Sequence, residues 1–165
     1  MPYTRNVESI VAVYDFNGNP VGALKDVLDI EREIVFDDVH TLFIRLAKGY
    51  GRLMMDQEVI YRGERYIVAS SDDDKGNNGQ YTEIEAESAQ VELGRPKISV
   101  EIEAVTVEKG LERILEGTGW TVGVIEDQDG YKHSMVLNDK SPLYLVRQWA
   151  RLSGHLPDYD TINRV

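Results

Sequence analysis

The sequence predicts an α+β protein in which a β-rich first domain, residues 1–95, precedes a small α/β domain, residues 96–165. Short runs of β-branched and aromatic residues fill the first part, and turn-forming residues separate them. After Pro96 two segments instead repeat apolar residues at helical spacing. We therefore expect a β-barrel or sandwich, followed by a domain of two helix–strand units that looks truncated at its C-terminus.

The first domain contains several predicted strands separated by turns. Residues 17–20 (Asn-Gly-Asn-Pro) end the first run, because Asn and Gly accept positive φ and Pro cannot continue a ladder. Two short runs around a glycine-containing connection predict a hairpin. Residues 70–79 are polar and predict a loop, and residues 86–93 could form a short helix. The predicted strands include residues 10–16, 30–36, 42–46, 59–61, 66–68 and 81–84.

The second domain opens with an alternating strand pattern at residues 98–102. Thr106 is a predicted N-cap, and the helix that follows it ends at Gly117 and Gly119. Apolar residues then alternate over residues 120–124, which predicts a strand.

A second helix is predicted after Ser141, because Ser is a good N-cap and Pro142 occupies the first helical position. Gly154 ends this helix. A turn at residues 127–130 and a strand over residues 131–137 come before it, and residues 158–165 begin another strand.

The two helical segments resemble each other. Both have the same length from N-cap to glycine, and the offset between them is 35 residues (106 to 141, and 119 to 154). Two explanations of this match stay open. One is an internal duplication, and the other is two similar β-α-β pieces packed on one small sheet without common ancestry. The matched apolar pairs are Leu111 with Val146, Ile114 with Trp149, and Leu115 with Ala150.

Composition excludes several classes of protein. The chain has 29 acidic and 18 basic residues, a net charge of −11, whereas nucleic-acid backbones and anionic lipids attract basic surfaces. Cysteine is absent, so disulfides and thiolate metal sites are excluded. No apolar run approaches the ~20 residues of a membrane helix, and the first nine residues are too polar for a signal peptide. We expect synthesis in a cytoplasm, no membrane partner and no sequence-specific nucleic-acid partner.

Motifs for catalysis or cofactor binding are missing from the sequence. It contains no nucleophile elbow, no phosphate-binding loop and no dinucleotide fingerprint. His40, His133 and His155 fall in three different segments, and none has another His or a paired carboxylate at metal-ligand spacing. We therefore expect no catalytic, cofactor-binding or metal site, no cofactor, and no enzymatic activity within these residues.

The sharpest acidic cluster begins at Asp72. In a calcium loop, Asp72, Asp74 and Glu83 would supply the first, third and twelfth ligands, and hard oxygen donors suit this ion. Gly76 at the fifth position offers no side-chain oxygen, and Asn77 replaces the turn glycine at the sixth. A solvated hairpin loop is the preferred interpretation, and calcium binding stays open.

Paired acids could also serve a hydrolase. Asp37 and Asp38 are adjacent, and Glu83, Glu85 and Glu87 alternate along a predicted strand. Glycosidases need two carboxylates a set distance apart in a cleft. Acids that alternate along a strand point instead to one solvated face.

Several segments resemble phage tail hub proteins. Residues 55–68 are similar to the hub hairpin, and Gly94 to Pro96 fall where that family ends its first domain. The most specific stretch is residues 111–123, in which a helix ends in Ile-Leu-Glu-Gly-Thr-Gly-Trp and runs into a predicted strand. Residues 143–160 match the second helix, glycine and Asp-rich segment of the family. The family includes siphophage tail-associated proteins, also labelled minor structural or prophage endopeptidase tail proteins.

The resemblance implies a structural subunit of the tail tip or baseplate hub, located in the virion tail. Such subunits form a trimeric ring that closes the tail tube and carries the tip or fibre. It also implies a first domain like a tail-tube β-barrel, and partners among distal tail and tail-tube proteins. Any peptidase or muralytic module would lie beyond residue 165. The alternative is a muralytic tail-associated hydrolase that uses acidic residues.

Overall fold

The structure of the chain, a computed structural model, divides it into two compact units, Met1–Ala89 and Gln90–Val165. The boundary predicted after residue 95 lies inside the second unit. The structure describes residues 11–35, 38–47, 53–74, 81–126 and 130–165.

The first unit contains a seven-stranded antiparallel sheet with the strand order β2-β1-β5-β6-β7-β4-β3. Its strands are β1 (Ala12–Tyr14), β2 (Pro20–Ala23), β3 (Val27–Glu33), β4 (Thr41–Ala47), β5 (Glu58–Tyr61), β6 (Glu64–Asp74) and β7 (Tyr81–Ser88).

Side-chain alternation sets the core of this sheet. Leu42, Ile44 and Leu46 on β4 are buried, and Ile84 on β7 lies directly opposite Ile44. Because side chains on a strand alternate between faces, the intervening residues of β4 and β7 must point to the other side. The core cluster also contains Val11, Val13, Val59, Tyr61, Tyr66, Val68 and Ala86.

Two predicted turns of the first unit are confirmed. The Asp15 carboxylate accepts hydrogen bonds from the backbone N–H groups of Asn17 and Asn19, which closes the β1–β2 turn. Arg62 and Gly63 both have positive φ, +51° and +77°, and join β5 to β6. Positive φ at both central residues is the two-residue turn whose twist matches a hairpin.

Two local predictions in the first unit are wrong. Strand β6 continues through the predicted polar loop to Asp74, because Ser70 pairs with Glu85 and Asp72 with Glu83. Pairing with a neighbouring strand therefore outweighs the low strand propensity of Ser and Asp. Ala86 to Ser88 likewise belong to β7, and only Ala89–Gly94 form a short helix, of the 3₁₀ type.

The sheet-rich α+β class is confirmed, but the barrel is not. Strands β2 and β3 occupy the two ends of the sheet, and within the described residues the sheet stays open.

The second unit contains two strand–helix pairs. They are β8 (Ile98–Val105) with α1 (Val107–Leu115), and β9 (His133–Lys140) with α2 (Pro142–Leu152). Strands β8 and β9 form an antiparallel two-stranded sheet. Each helix therefore follows a strand, as predicted, whereas the strands predicted after the two helices are not formed.

Two predicted strands of the second unit are not formed. Residues 120–125 have no regular secondary structure, and residues 161–164 form a turn. The Asp160 carboxylate accepts from the N–H groups of Ile162 and Asn163, which diverts the chain from an extended path. Most of the predicted turn at residues 127–130 lies outside the described residues.

Both predicted helix starts are confirmed, with different capping. The Ser141 hydroxyl accepts from the backbone N–H of Tyr144 at 3.3 Å, and Pro142 occupies the first turn. Thr106 holds the N-cap position of α1, but its side chain makes no capping hydrogen bond.

The internal match covers the strands as well as the helices. Strand β9 begins 35 residues after β8 (98 to 133), and α2 begins 35 after α1 (107 to 142). Two hydrogen bonds between the strands are also related by this offset. Ala104 N donates to Ser134 Oγ, and Asp139 N donates to Ser99 Oγ. Ala104 corresponds to Asp139, and Ser99 corresponds to Ser134. The two strand–helix pairs are therefore related by an internal two-fold correspondence.

Helices α1 and α2 meet at Gly110 and Trp149. The Trp149 side chain is fully buried, and its indole N–H donates to the carbonyl of Val107 at 2.9 Å. A Cβ atom at Gly110 would overlap the indole ring. The absence of a side chain at Gly110 is therefore what lets the indole lie against α1.

We expect Gly110→Ala to destabilise the second unit by about 1–3 kcal/mol, the usual cost of overpacking a core. Alanine would otherwise favour an exposed helix by about 1 kcal/mol over glycine. Both tryptophans of the chain, Trp120 and Trp149, lie in this unit, so urea unfolding followed by tryptophan fluorescence reports on it.

Glu112→Ala, at an exposed position of α1, is the matched control and should leave the midpoint nearly unchanged. A higher urea midpoint for Gly110→Ala would contradict the packing argument. In a double-mutant cycle with Trp149→Leu, the penalty at Gly110 should largely disappear.

Candidate functional site

The first unit has an acidic face on the side of its sheet opposite the core. Register puts Glu31 on β3, Phe43 on β4 and Glu85 on β7 side by side across three strands. The same alternation aligns the other acids of these strands and of β6. The acidic face consists of Asp29, Glu31, Glu33, Asp72, Glu83, Glu85 and Glu87.

Arg45 is a basic residue in the middle of the acidic face. Its Nη2 atom lies 2.8 Å from Oε1 of Glu83, and its guanidinium lies 4.7 Å from the centre of the Tyr81 ring. Since both charged groups are exposed, water screens the pair and it contributes little to stability. One arginine against seven carboxylates leaves the face strongly negative.

The structure describes only the two ends of the calcium loop considered in the sequence analysis. Asp72 lies in β6 directly opposite Glu83 on β7, in extended backbone with no flanking helices. Gly76 and Asn77 lie outside the described residues. The part of the chain that the structure describes contains no group of three or more His, Asp or Glu residues able to hold a metal ion.

The acids proposed for a hydrolase are spread on an open surface. Glu83 and Glu85 are exposed on the acidic face rather than in a cleft. Asp37 lies outside the described residues, so the geometry of the Asp37–Asp38 pair is not described.

A half-buried polar cluster surrounds Glu64 at the start of β6. Arg32 Nη1 lies 3.3 Å from one carboxylate oxygen, and His40 Nδ1 lies 3.0 Å from the other. The Tyr66 hydroxyl donates to the same carboxylate at 2.7 Å. These residues come from β3, the loop before β4, and β6, so no spacing along the chain predicts the cluster.

Burial raises the pKa of Tyr66 above its ordinary value of 10.0, and its hydrogen bond to the Glu64 carboxylate raises it further. Both causes favour the neutral phenol, because ionisation would put a second negative charge beside Glu64.

The other two histidines have structural contacts. The His133 ring packs edge-on against Trp149, with 6.0 Å between ring centres. His155 Nε2 lies 2.8 Å from the carbonyl oxygen of Glu126, so this nitrogen is the donor. The three histidines are in separate places, as their sequence positions suggested.

The second unit contains a groove with a volume of about 840 Å³. Its walls are residues 120–126 and residues 153–160, and its floor includes side chains of α1 and α2. The floor residues are Val107, Leu111, Leu115, Val146 and Ala150. A groove of this size with apolar walls is large enough to take a ligand or a segment of polypeptide.

Glu92 fixes one side of the groove. Its carboxylate accepts from the indole N–H of Trp120 at 3.3 Å and from Nε of Arg164 at 3.3 Å. These bonds hold the start of one wall and the last residues of the chain to the 3₁₀-helix.

Solved structures with the same fold come from prophages and bacterial genomes. Prophage tail protein gp18 from Listeria monocytogenes EGD-e matches with a TM-score of 0.77 and 19% identity, over 94% of this chain and 49% of its own. The chain has the fold of prophage tail proteins.

Two further structures share this tail-protein fold. The 43 kDa tail protein of prophage MuSo2 from Shewanella oneidensis matches with a TM-score of 0.72 and 13% identity, over 95% of this chain and 53% of its own. The tail protein from Neisseria meningitidis MC58 matches with a TM-score of 0.63 and 11% identity, over 88% of this chain and 46% of its own. The chain thus spans about half the length of these tail proteins.

No protein-family model matches the sequence, and no curated protein matches it significantly. None of the helices that the structure describes is long and apolar enough to cross a membrane.

Alkaline pH should destabilise the first unit through Tyr66. Because the folded pKa is raised, this residue contributes its full stability below the ordinary pKa of 10.0 and loses it as pH rises above that value. The decline has a limiting slope of about 1.4 kcal/mol per pH unit for one group. Urea unfolding followed by circular dichroism between pH 8 and alkaline pH measures it.

Tyr66→Phe should flatten this alkaline decline, although it also removes the hydrogen bond to Glu64. Tyr131→Phe is the matched control, because Tyr131 is 70% exposed, and it should keep the wild-type pH profile. Equal alkaline slopes for Tyr66→Phe and wild type would show that the buried phenol is not the group responsible.

Proposed function

We propose that this chain is a structural subunit of a phage or prophage tail-tip or baseplate hub, which closes the tail tube and carries the tip or fibre. The observation that supports it most is the tail-protein fold, shared over 94% of the chain with a TM-score of 0.77. We propose a homotrimeric ring in the virion tail, with distal tail and tail-tube proteins as partners.

The acidic face supports a position along the path of DNA. DNA carries one phosphate charge per ~1.7 Å of duplex, and basic surfaces bind it by releasing its counterions. A ring lined by Glu31, Glu85 and their neighbours would instead repel the phosphates and let DNA slide. In this proposal the acidic face lines the lumen of the ring.

A structural role fits the placement of the acids better than hydrolysis does. Inverting and retaining glycosidases hold two carboxylates across a substrate cleft. Glu83 and Glu85 lie on an open sheet instead, and Arg45 neutralises one of them. We propose that these residues perform no catalysis, and that any wall-cutting activity belongs to another module.

The hub proposal predicts a three-fold ring in solution or on a tail. Mixing the purified chain with the cognate tail-tube and distal tail proteins should give a ring visible by electron microscopy and a trimer mass by light scattering. A chain that stays a monomer and joins neither partner would overturn the proposal. A ring with a basic lumen would overturn only the placement of the acidic face.

Charge reversal should separate the acidic face from the rest of the surface. We expect particles carrying Glu31→Lys, Glu33→Lys and Glu85→Lys to release DNA more slowly than wild type, because lysines in the lumen would bind phosphates.

The matched control reverses three exposed acids of the second unit, Glu108, Glu112 and Glu116, and should release DNA at the wild-type rate. Equal release from both triple variants would contradict the proposed lumen, provided that both assemble into tails.

A further inference from the structure

The two walls of the groove are equivalent parts of the internal match. Residues 120–125 of one wall follow α1, and residues 155–160 of the other follow α2 at the same offset of 35. On the floor, Leu111 corresponds to Val146 and Leu115 to Ala150. The groove therefore lies between the matching ends of the two strand–helix pairs.

Hydrogen bonds hold residues 120–126 at both ends, and the side chain of Val165 lies against Gly123 between them. Thr121 N donates to Arg164 O at 2.8 Å, and His155 Nε2 donates to Glu126 O at 2.8 Å. Between these points, the backbone N–H and C=O groups of residues 122–125 have no hydrogen-bond partner among the described residues. One wall thus presents an unpaired backbone edge to the surface.

The sequence of this wall is that of a strand. Residues 121–125 read Thr-Val-Gly-Val-Ile, and Val124 is 94% exposed. β-branched residues favour pleated, half-buried surfaces. The strand-like sequence of residues 121–125 is thus not matched by a strand in the structure. Such a mismatch between local sequence and structure is typical of functional sites.

Negative charge at the groove favours a partner with basic side chains. Glu126, Asp158 and Asp160 are exposed lining residues, and no lysine or arginine of the described chain lines the groove. An approaching chain therefore meets apolar walls edged by negative charge. Basic side chains beside apolar ones complement this arrangement.

We propose that the groove binds an extended segment of another polypeptide chain, with alternating apolar and basic side chains, which adds as a β-strand to residues 122–125. Backbone hydrogen bonds to an unpaired edge would supply affinity, and alternate side chains in the groove would supply specificity. A second copy of this chain is the less favoured occupant, because its net charge of −11 opposes the acidic rim. The proposal depends on the groove and does not require the hub function.

The test uses the full chain and a nine-residue peptide in which valine alternates with lysine. Calorimetry should detect binding, and amide resonances of residues 122–125 should shift on titration. The same peptide with glutamate in place of lysine should bind at least about tenfold more weakly, equivalent to about 1.4 kcal/mol.

Two valines of the second unit provide matched variants. Val124→Lys should weaken binding of the valine–lysine peptide at least about tenfold, because it puts a positive charge in the groove. Val136→Lys alters another valine, 63% exposed on β9 and not among the groove residues, and should leave binding unchanged. Both positions are exposed, so neither variant should impair folding.

Three outcomes would overturn the proposal. They are no binding of the valine–lysine peptide, equal binding of the glutamate peptide, and equal loss of binding in both lysine variants. Self-association in sedimentation that Val124→Lys abolishes would identify a second copy as the occupant and would also overturn it.

Discussion

The register of β4 against β7 is the constraint on which the first unit depends. Ile44 opposite Ile84 puts the apolar residues of both strands into the core. The same register necessarily puts Arg45 opposite Glu83 and Phe43 opposite Glu85 on the outer face. A slip of one residue would exchange the two faces, burying carboxylates and exposing the core. The acidic surface and the hydrophobic core therefore both follow from the same strand register.

The second unit depends on a close approach of two helices. Trp149 lies against α1 only because position 110 carries no side chain, and its indole N–H is satisfied by the carbonyl of Val107. This packing positions the helix ends from which the groove walls extend. Core packing and the groove are thus connected through the same two helices.

Much of the fold could be predicted from local patterns. The hairpin of β5 and β6, strand β8 and both helix starts follow from alternation, turn residues and capping, which act over a few residues. The wrong predictions concern segments whose structure depends on contacts with residues distant in sequence. Strand β6 runs to Asp74 because β7 pairs with it. Residues 120–125 form no strand because, within the described chain, only Thr121 among them has a backbone–backbone hydrogen bond, to Arg164. Strand formation by such segments is decided by residues distant in sequence.

The candidate sites likewise divide into one that local patterns predict and two that they do not. The alternating acids Glu83, Glu85 and Glu87 predicted a solvated face, since alternation is a local property. The cluster around Glu64 joins two strands and a loop, and the groove joins the ends of two helices, so neither has a local signature. Only the match between the helical segments, at a spacing of 35 residues, pointed toward the groove region.

The backbone at Ala104 and Asp139 is irregular and interrupts the small ribbon of β8 and β9. A two-stranded ribbon has two open edges, and strands of other molecules can pair with an open edge through its backbone N–H and C=O groups. Both residues have positive φ, 46° and 54°, and the β8–β9 register shifts near each of them. Because the internal two-fold repeats this irregularity in an antiparallel pair, each strand is interrupted at an equivalent position, at opposite ends of the ribbon. Such irregularities disfavour edge-to-edge aggregation between copies of the chain.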